Sequence, residues 1–568
     1  METRWIMPES VAELAGALAA DLDVAPFVAE LLVRRGIAEP EQARKFLDPK
    51  LKSLRDPFLV KGMDAAVDRL WLAVERSERI VLYGDYDVDG VSSLALLSRV
   101  LEAVGGRVEC FLPMRQGEGY GLSRAGLERC LGGGIPELLV AVDCGTTAVA
   151  EVAFLMGHGV DVVIVDHHEP KTELPECVAL VNPKLGGDGQ GLCSVGLCFK
   201  LAHALLKRRP VAGLDLREYL DLVTLGTVAD LVPLTDENRI LVRRGLLQLG
   251  DTRWAGIGEL VAVSEVRFPV SPSQVGFQLG PRLNAAGRIG SAADALELLV
   301  TPDRARARVL ARSLDEQNRE RRAVEEAVTK EAEAQLASWY DPARHAGIVL
   351  GGDGWHPGVV GIVASRIVRQ HHRPVFVVGF GEDGSGKGSG RSIEGLSLVQ
   401  ALDECRSLLE GYGGHEMAAG VTLRKERLEE FREAFAECAA RYLQGGKLQR
   451  SLRIDACLAL AEIDLELLRQ HEALQPFGMG NPQPLFAVRR VQPAEEPRIL
   501  KEKHLSLMLQ QGSRRQRAIW FGAAAGPLPR PPWDVAFYLE RNEYRDQVTA
   551  QMQIQSIRSS DPVSSQSA

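Results

Sequence analysis

From Arg79 onward the chain alternates short apolar runs with stretches of helical spacing. RIVLYG (79–84), RVECFLP (107–113), ELLVAVDCG (137–145) and VDVVIVDHH (160–168) show no polar alternation, whereas VSSLALLSRVLEAVGG (91–106) and TAVAEVAFLMGHG (147–159) repeat at the helical period. Continuous apolar strands joined by crossover helices predict a parallel sheet covered on both faces. Before it, LLVRRGI and PEQARKFL predict short helices within residues 1–50. Residues 216–249 and the charged stretch 301–338 also have helical spacing, the latter a solvated connecting helix laced with i,i+4 ion pairs. A second α/β pattern starts at HAGIVLGG (345–352), continues through HRPVFVVGF (372–380) and ends near residue 446. Beyond it, PLFAVRRVQ, HLSLMLQ, RQRAIWFG, WDVAFYLERN and QVTAQMQIQSI are strand-like runs divided by Gly, Pro and Asn, the spacing of a small all-β barrel. The expected boundaries are a helical extension over 1–50, a parallel-sheet domain over 51–300 and a connecting helix over 301–340. A second α/β domain over 341–446, a barrel over 447–557 and a disordered tail over 558–568 complete the chain.

Composition narrows the function. The 67 Lys and Arg against 76 Asp and Glu give a net charge of −9, so a nucleic-acid surface has to be a local basic groove. Nine cysteines without a CxxC pair do not form a disulfide framework, which points to a reducing, cytoplasmic compartment. Asp21 and Asp23 interrupt the first apolar stretch, making it a poor signal peptide, and no uncharged apolar run reaches about 18 residues, so no membrane span is expected.

Two motifs mislead. DYDVDG (85–90) opens like a calcium loop, but Leu96 stands where the bidentate Glu is needed and a strand precedes it. GEDGSGKG (381–388) resembles a phosphate loop, but Gly388 replaces the magnesium-binding hydroxyl and no helix follows.

What remains is acidic. Asp85, Asp87 and Asp89 follow the first strand, Asp143 the third and Asp166-His167-His168 the fourth, while Asp230 lies in the helical GTVADLVPL. Open parallel sheets place ligands at the carboxyl ends of their strands, so the first three groups should converge. Singly, each Asp has an ordinary role in a turn or as a helix cap, as Asp89 ahead of GVSSLALL. Together, their mutual repulsion at neutral pH calls for divalent cations. Carboxylates with imidazole suit Mn²⁺ or Mg²⁺, and this many ligands exceeds what one octahedral ion uses. A two-metal phosphoester or phosphoanhydride hydrolase follows from the residues alone.

The ordered set YGDYDVDG, VDCGT, VDHHEP and GTVADLVPL resembles the four motifs of the DHH phosphoesterase superfamily. With RQGEGYGL (115–122), GPRLNAAGR (280–288), GWHPGVVGIVASRI (354–367), GSGRS (388–392) and GYGGHEMAAG (411–420), the chain is similar to the bacterial members that digest single-stranded DNA from 5′ to 3′. The resemblance implies two α/β lobes, a DHH parallel-sheet domain and a DHHA1 domain, joined by a long helix and followed by an OB-fold barrel. It implies two Mn²⁺ ions, with Mg²⁺ as the alternative, held by Asp85, Asp87, Asp89, Asp143, His167 and Asp230. Related two-metal enzymes often carry a histidine four residues before the second of these, where this chain has Tyr83. His168 would donate to the scissile phosphate, Asp166 would orient the histidines from behind, and His415 would polarise the phosphate. Arg115, Ser389, Arg391 and Ser392 would hold a 5′-phosphate, Tyr120 would stack a base, and Arg282, Asn284 and Arg288 would touch the backbone from a tight loop. The Gly-rich GSGKGSGRS would approach phosphate through its N–H groups, or form a flexible hairpin. On the barrel, Lys501, Lys503, Arg514, Arg515 and Arg517 would track the strand and Trp520, Phe521 and Tyr544 would stack bases.

The implied partners are single-stranded DNA, a RecQ-type helicase and a single-stranded-DNA-binding protein, in DNA repair and recombination. The competing readings are a DHH phosphodiesterase of short oligonucleotides or cyclic dinucleotides, a manganese pyrophosphatase, and a non-cutting scaffold.

Overall fold

The computed structural model describes residues 3–114, 117–119, 121–289, 291–444, 448, 450–524, 526–544 and 547–560, without the side chains of 288, 289 and 544. Two compact units emerge, Met7–Asp315 with Arg453–Ala568, and Met1–Ile6 with Glu316–Leu452. No described helix is long and apolar enough to cross a membrane.

In the first unit, β1 (Arg79–Gly84), β2 (Arg107–Phe111), β3 (Leu138–Val142), β4 (Asp161–Val165) and β5 (Ala179–Val181) form a parallel sheet in the order β2-β1-β3-β4-β5. Neighbouring residues along each strand enter different cores: Leu82, Val140 and Val163 lie on one side, Val81, Leu139 and Val162 on the other. This two-sided burial is why the runs lack alternation. The crossovers include α1 (Val88–Ala103), α2 (Arg124–Gly132) and α3 (Val149–Gly157), and α4 (Ser194–Arg208) and α5 (Leu220–Ala229) pack against α1. The order reverses between β1 and β3, which is where such sheets open a ligand crevice.

GPRLNAAGR is not a tight loop. It is the helix α6 (Gly280–Ile289), entered through a π-helical segment, Val275–Leu279. The helix α7 (Arg304–Trp339) begins in the first unit and ends in the second. It is less solvated than its charge suggests: Ala307, Leu310 and Leu314 enter the first unit's core, and Val328, Ala332 and Leu336 enter the second's.

The second unit has a five-stranded sheet of β6 (Ile348–Asp353), β7 (Val375–Phe380), β8 (Ser385–Arg391), β9 (Gly411–Gly414) and β10 (Ala418–Arg424), ordered β9-β10-β8-β7-β6. The GSGKGSGRS stretch is therefore a central strand, neither phosphate loop nor hairpin tip. Gly386, Gly388 and Gly390 stand opposite Phe380, Val378 and Phe376 on β7. A Cβ there would come within 2.3, 2.8 and 2.3 Å of those side chains, so large neighbours fold over a glycine track.

The C-terminal strands β11 (Ala456–Cys457), β12 (Leu485–Pro493), β13 (Arg498–Leu500), β14 (His504–Gln511), β15 (Arg514–Trp520), β16 (Trp533–Tyr544) and β17 (Gln547–Ser559) pair as β11-β12-β16-β17-β15-β14-β13. A further β12–β14 pairing closes the ring, the arrangement of an OB-fold. Its core continues into the N-terminal helices: Ala15, Leu18, Val28, Leu31 and Leu32 share a cluster with Phe486, Phe537 and Met552. Gln470 Oε1 accepts from Ala25 N at 3.0 Å, and Asn481 Oδ1 accepts from Arg35 Nε at 3.0 Å. Arg239 ties the same region to the parallel-sheet lobe. It is buried, donates to the carbonyls of Phe46, Leu474 and Ala473 at 2.8–3.3 Å, and lies 3.7 Å over the Phe46 ring.

Candidate metal centre

Register assembles the site. Gly84 pairs with Val142 and Val142 with Val165, so three adjacent strands end at one level. The next residues are Asp85, Asp143 and Asp166. All three carboxylates are buried. Asp87 caps α1: its Oδ1 accepts the N–H groups of Asp89 and Gly90 at 2.9 and 3.1 Å. The cap expected at Asp89 is thus two residues earlier, and Asp89 turns its carboxylate to the start of α4 instead. Asp89 accepts Ser194 N at 2.7 Å and Val195 N at 2.9 Å, meeting the positive end of α4. Asp143 leaves β3 with φ +63° and accepts the Ser194 hydroxyl at 2.8 Å. Asp230 follows the last turn of α5.

His167 Nε2 faces Asp230 Oδ2 at 3.4 Å, Asp143 Oδ1 at 3.5 Å and Asp89 Oδ2 at 3.9 Å. Ligand atoms gather in three groups: Asp89 with His167 and Asp230, Asp143 with His167 and His168, and Asp85 with Asp87 and Asp143, the last two sharing Asp143. His167 Nε2, both oxygens of Asp85 and Asp230 Oδ2 are buried without a hydrogen-bond partner. Orphaned atoms on this many groups at one point suit a cation. Oxygen donors with one imidazole fit Mn²⁺ or Mg²⁺.

The electrostatics agree. Burial, then the charge of Asp87, pushes Asp85 up to about 8 and Asp89 to about 6. Burial and Asp89 push Asp230 to about 8 and Asp143 well above the carboxylate range. Burial and the adjacent His168 lower His167 to about 4, which keeps the imidazole neutral and able to ligate.

Asp166 behaves differently. Its side chain contacts the ring of His168 but not that of His167: Oδ1 lies 2.7 Å from His168 Nδ1 and accepts His167 N and His168 N at 2.8 and 3.2 Å, while Oδ2 accepts Thr146 N at 3.0 Å. Asn182, after β5, donates to Thr146 Oγ1 and to the His168 carbonyl, both at 2.9 Å. Ser194, Thr146 and Asn182 were not expected from sequence. Thr146 closes the VDCGT motif and VALV before Asn182 is strand-like, whereas nothing in the sequence marked Ser194. Tyr83 is buried in the core under β1, stacked on Phe111 at 5.0 Å.

Other expected contacts separate. Arg115 and Tyr120 lie outside the described residues, as do the side chains of Arg288 and Tyr544. Arg282 is no free phosphate ligand: it is buried, paired with Asp315 Oδ1 at 2.8–2.9 Å and bonded to Gln278 O. Asn284 is half-buried on α6, a helix that Gly287 seats against the Tyr86 carbonyl in the acidic loop. In the second unit, Arg391 is half-buried beside Ser389 Oγ at 2.9 Å, without an acidic partner among the described residues, and burial lowers its pKa. A half-buried cation lacking a counter-ion suits an anion. Ser392, by contrast, turns inward and donates to Leu396 O at 2.7 Å. His415 sits exposed at the tip of the β9–β10 hairpin. On the barrel, Phe521 is exposed against His504 at 5.1 Å, while Trp520 packs on the core and Arg514 donates to Ile463 O.

Family models match in three places: DHH family, N-terminal domain, over residues 79–227; DHHA1 domain over 345–441; and RecJ OB domain over 454–556. The chain is 37% identical over 560 residues to the single-stranded-DNA-specific exonuclease RecJ of Bacillus subtilis, covering 97% of this chain and 70% of the relative. The RecJ of Thermus thermophilus is 35% identical over 556 residues, covering 95% and 76%. Solved structures of Thermus thermophilus RecJ superpose with TM-scores of 0.84 in complex with Mn²⁺ and 0.79 with Mg²⁺, at 33% and 31% identity. Each covers 99% of this chain, and 80% or 79% of the solved one. Sequence, fold and acidic centre converge, and the chain belongs to the RecJ family.

Proposed function

We propose that the chain is a metal-dependent exonuclease specific for single-stranded DNA, hydrolysing phosphodiesters from the 5′ end to release 5′-mononucleotides in DNA repair and recombination. The observation that carries this reading is the convergence of buried Asp85, Asp89 and Asp143 with half-buried Asp87, His167 and Asp230 at the carboxyl end of the parallel sheet. These six residues would hold two ions, Mn²⁺ or Mg²⁺. Bound there, the metals supply Lewis-acid stabilisation of charge on phosphate oxygens and acidify water.

The protein's own groups do the rest. Asp166 holds His168 as a donor toward the scissile phosphate, its ring fixed at Nδ1 and its backbone fixed by Asn182. Neutral His167 stays available as a ligand. In the second unit Arg391 and Ser389 suit a phosphate, and in the first Arg115, Tyr120, Asn284 and Arg288 contact the strand. Arg282 acts by holding α6 in place, and Ser392 by fixing the turn after β8. The barrel carries the strand on Arg514, Arg515 and Arg517, with Lys501, Lys503 and Phe521.

The reading as a phosphodiesterase of short oligonucleotides or cyclic dinucleotides is disfavoured, because relatives that match over nearly the whole chain bear the exonuclease name. A cytoplasmic location, a RecQ-type helicase and a single-stranded-DNA-binding protein complete the proposal. The test is a ladder assay with 5′- and 3′-labelled single and double strands, with and without Mn²⁺. Stepwise mononucleotide release from 5′ ends of single strands, only with metal, is expected; metal-independent or 3′-directed cutting would overturn it.

A further inference from the structure

We infer that Ser194 is a positioning residue of the metal centre, acting through Asp143. The inference rests on the reading of that centre and extends it to a side chain outside the acidic motifs.

Ser194 is the first residue of α4, fully buried, and it touches two carboxylates that come from different elements. Its N–H donates to Asp89 Oδ2 at 2.7 Å, and Val195 N completes the clamp on Oδ1 at 2.9 Å. Its hydroxyl donates to Asp143 Oδ1 at 2.8 Å. The two contacts differ in kind. Any residue at 194 except proline keeps the N–H, whereas only a hydroxyl of this reach supplies the second bond.

Asp143 needs that bond more than its neighbours do. Its backbone is left-handed at φ +63°, held by Asp143 N donating to Val165 O at 3.0 Å. That fixes the main chain but leaves the side-chain rotamer open. Ser194 closes it, setting Oδ1 3.5 Å from His167 Nε2. Asp143 belongs to two of the three candidate ligand groups, one with His167 and His168 and one with Asp85 and Asp87, so its rotamer bears on both. Groups that orient a ligand from behind in this way change metal affinity by about 10–100-fold when removed.

The experiment is Mn²⁺ titration calorimetry on the chelator-stripped full chain, without DNA. Ser194→Ala removes the hydroxyl at the first position of a helix, where alanine is well tolerated, so the circular dichroism spectrum should not change. The expected result is about tenfold weaker Mn²⁺ binding. At fixed Mn²⁺, kcat falls and recovers as Mn²⁺ is raised, with KM for single-stranded DNA unchanged. Ser194→Ala should cost nothing further in an Asp143→Ala background, because the effect runs through that carboxylate. Wild-type affinity in Ser194→Ala, or an equal loss in both backgrounds, would overturn the inference while leaving the centre intact. A wild-type chain that takes up no Mn²⁺ would overturn the centre itself, and this inference with it.

Discussion

His168 Nδ1 lies 2.7 Å from Asp166 Oδ1, while His167, one residue earlier, turns Nε2 toward three carboxylates at 3.4–3.9 Å. Adjacent imidazoles thereby acquire opposite characters. Burial opposes charge on both, but on His168 the hydrogen bond and charge of Asp166 outweigh it and raise the pKa, while His167 drops to about 4. One ring is held toward the neutral, ligating form and the other toward the protonated form that donates, a division of labour set by environment.

Asp166→Asn should lower kcat by about 10–100-fold with little change in KM. A group with a raised pKa keeps its proton until pH climbs past that value. The wild-type rate should therefore fall on the alkaline side as His168 deprotonates, and in Asp166→Asn this limb should shift to lower pH. Rate profiles paired with NMR titration of His168 check it; an unmoved limb counts against the assignment.

Asp143→Ala should show no turnover above background in Mn²⁺, yet bind single-stranded DNA in chelator as the wild type does. Filter binding and end-label release measure the two separately. Retained turnover would remove Asp143 from the centre.

The metal-free protein should lose stability as pH rises. Asp85 and Asp230 sit near 8 and Asp89 near 6 in the folded state, each raised first by burial. Unfolded, they ionise near pH 4, so between about 4 and 8 the folded state binds more protons. Stability then declines with pH across that window. Asp166, held well below its ordinary value, contributes the opposite slope only below that window. Thermal melts in chelator should drop from pH 5 to pH 8 and recover on adding Mn²⁺; a flat profile would contradict the burial of these charges.

Gly390→Ala should destabilise the second unit by about 1–3 kcal/mol, since its Cβ would lie 2.3 Å from the Phe376 ring. Urea unfolding measures this, and Ser389→Ala, one position away on the other face of β8, should cost under about 0.5 kcal/mol.

Arg239→Ala removes a donor from the carbonyls of Phe46, Leu474 and Ala473, of which the latter two keep Asn481 and Arg243, and opens a void beside Phe46. A loss of about 3 kcal/mol or more is expected, read from the same unfolding curves.

What the sequence made legible follows from where the determining forces act. RIVLYG, ELLVAV and VDVVIV declared themselves because both their faces are buried, and the acids ending them could be placed because parallel register is regular. Ser194 was invisible because its partner Asp143 lies 51 residues away, and a serine after GLC carries no pattern of its own. Arg282 looked available because Asp315, its partner, is on another helix. The β8 glycines mimicked a loop because the side chains filling their places belong to β7. Local signals fail where a residue is defined by a distant neighbour.

The cluster joining residues 15–46 to strands that close only at residue 554 has a consequence for synthesis. At translation rates of roughly 5–20 residues per second, the leading helices wait roughly 20–100 s on the ribosome before their apolar faces find cover. Any fragment that omits either end of the polypeptide should expose the other's greasy surface, so the two extremities have to be produced, and engineered, as one piece.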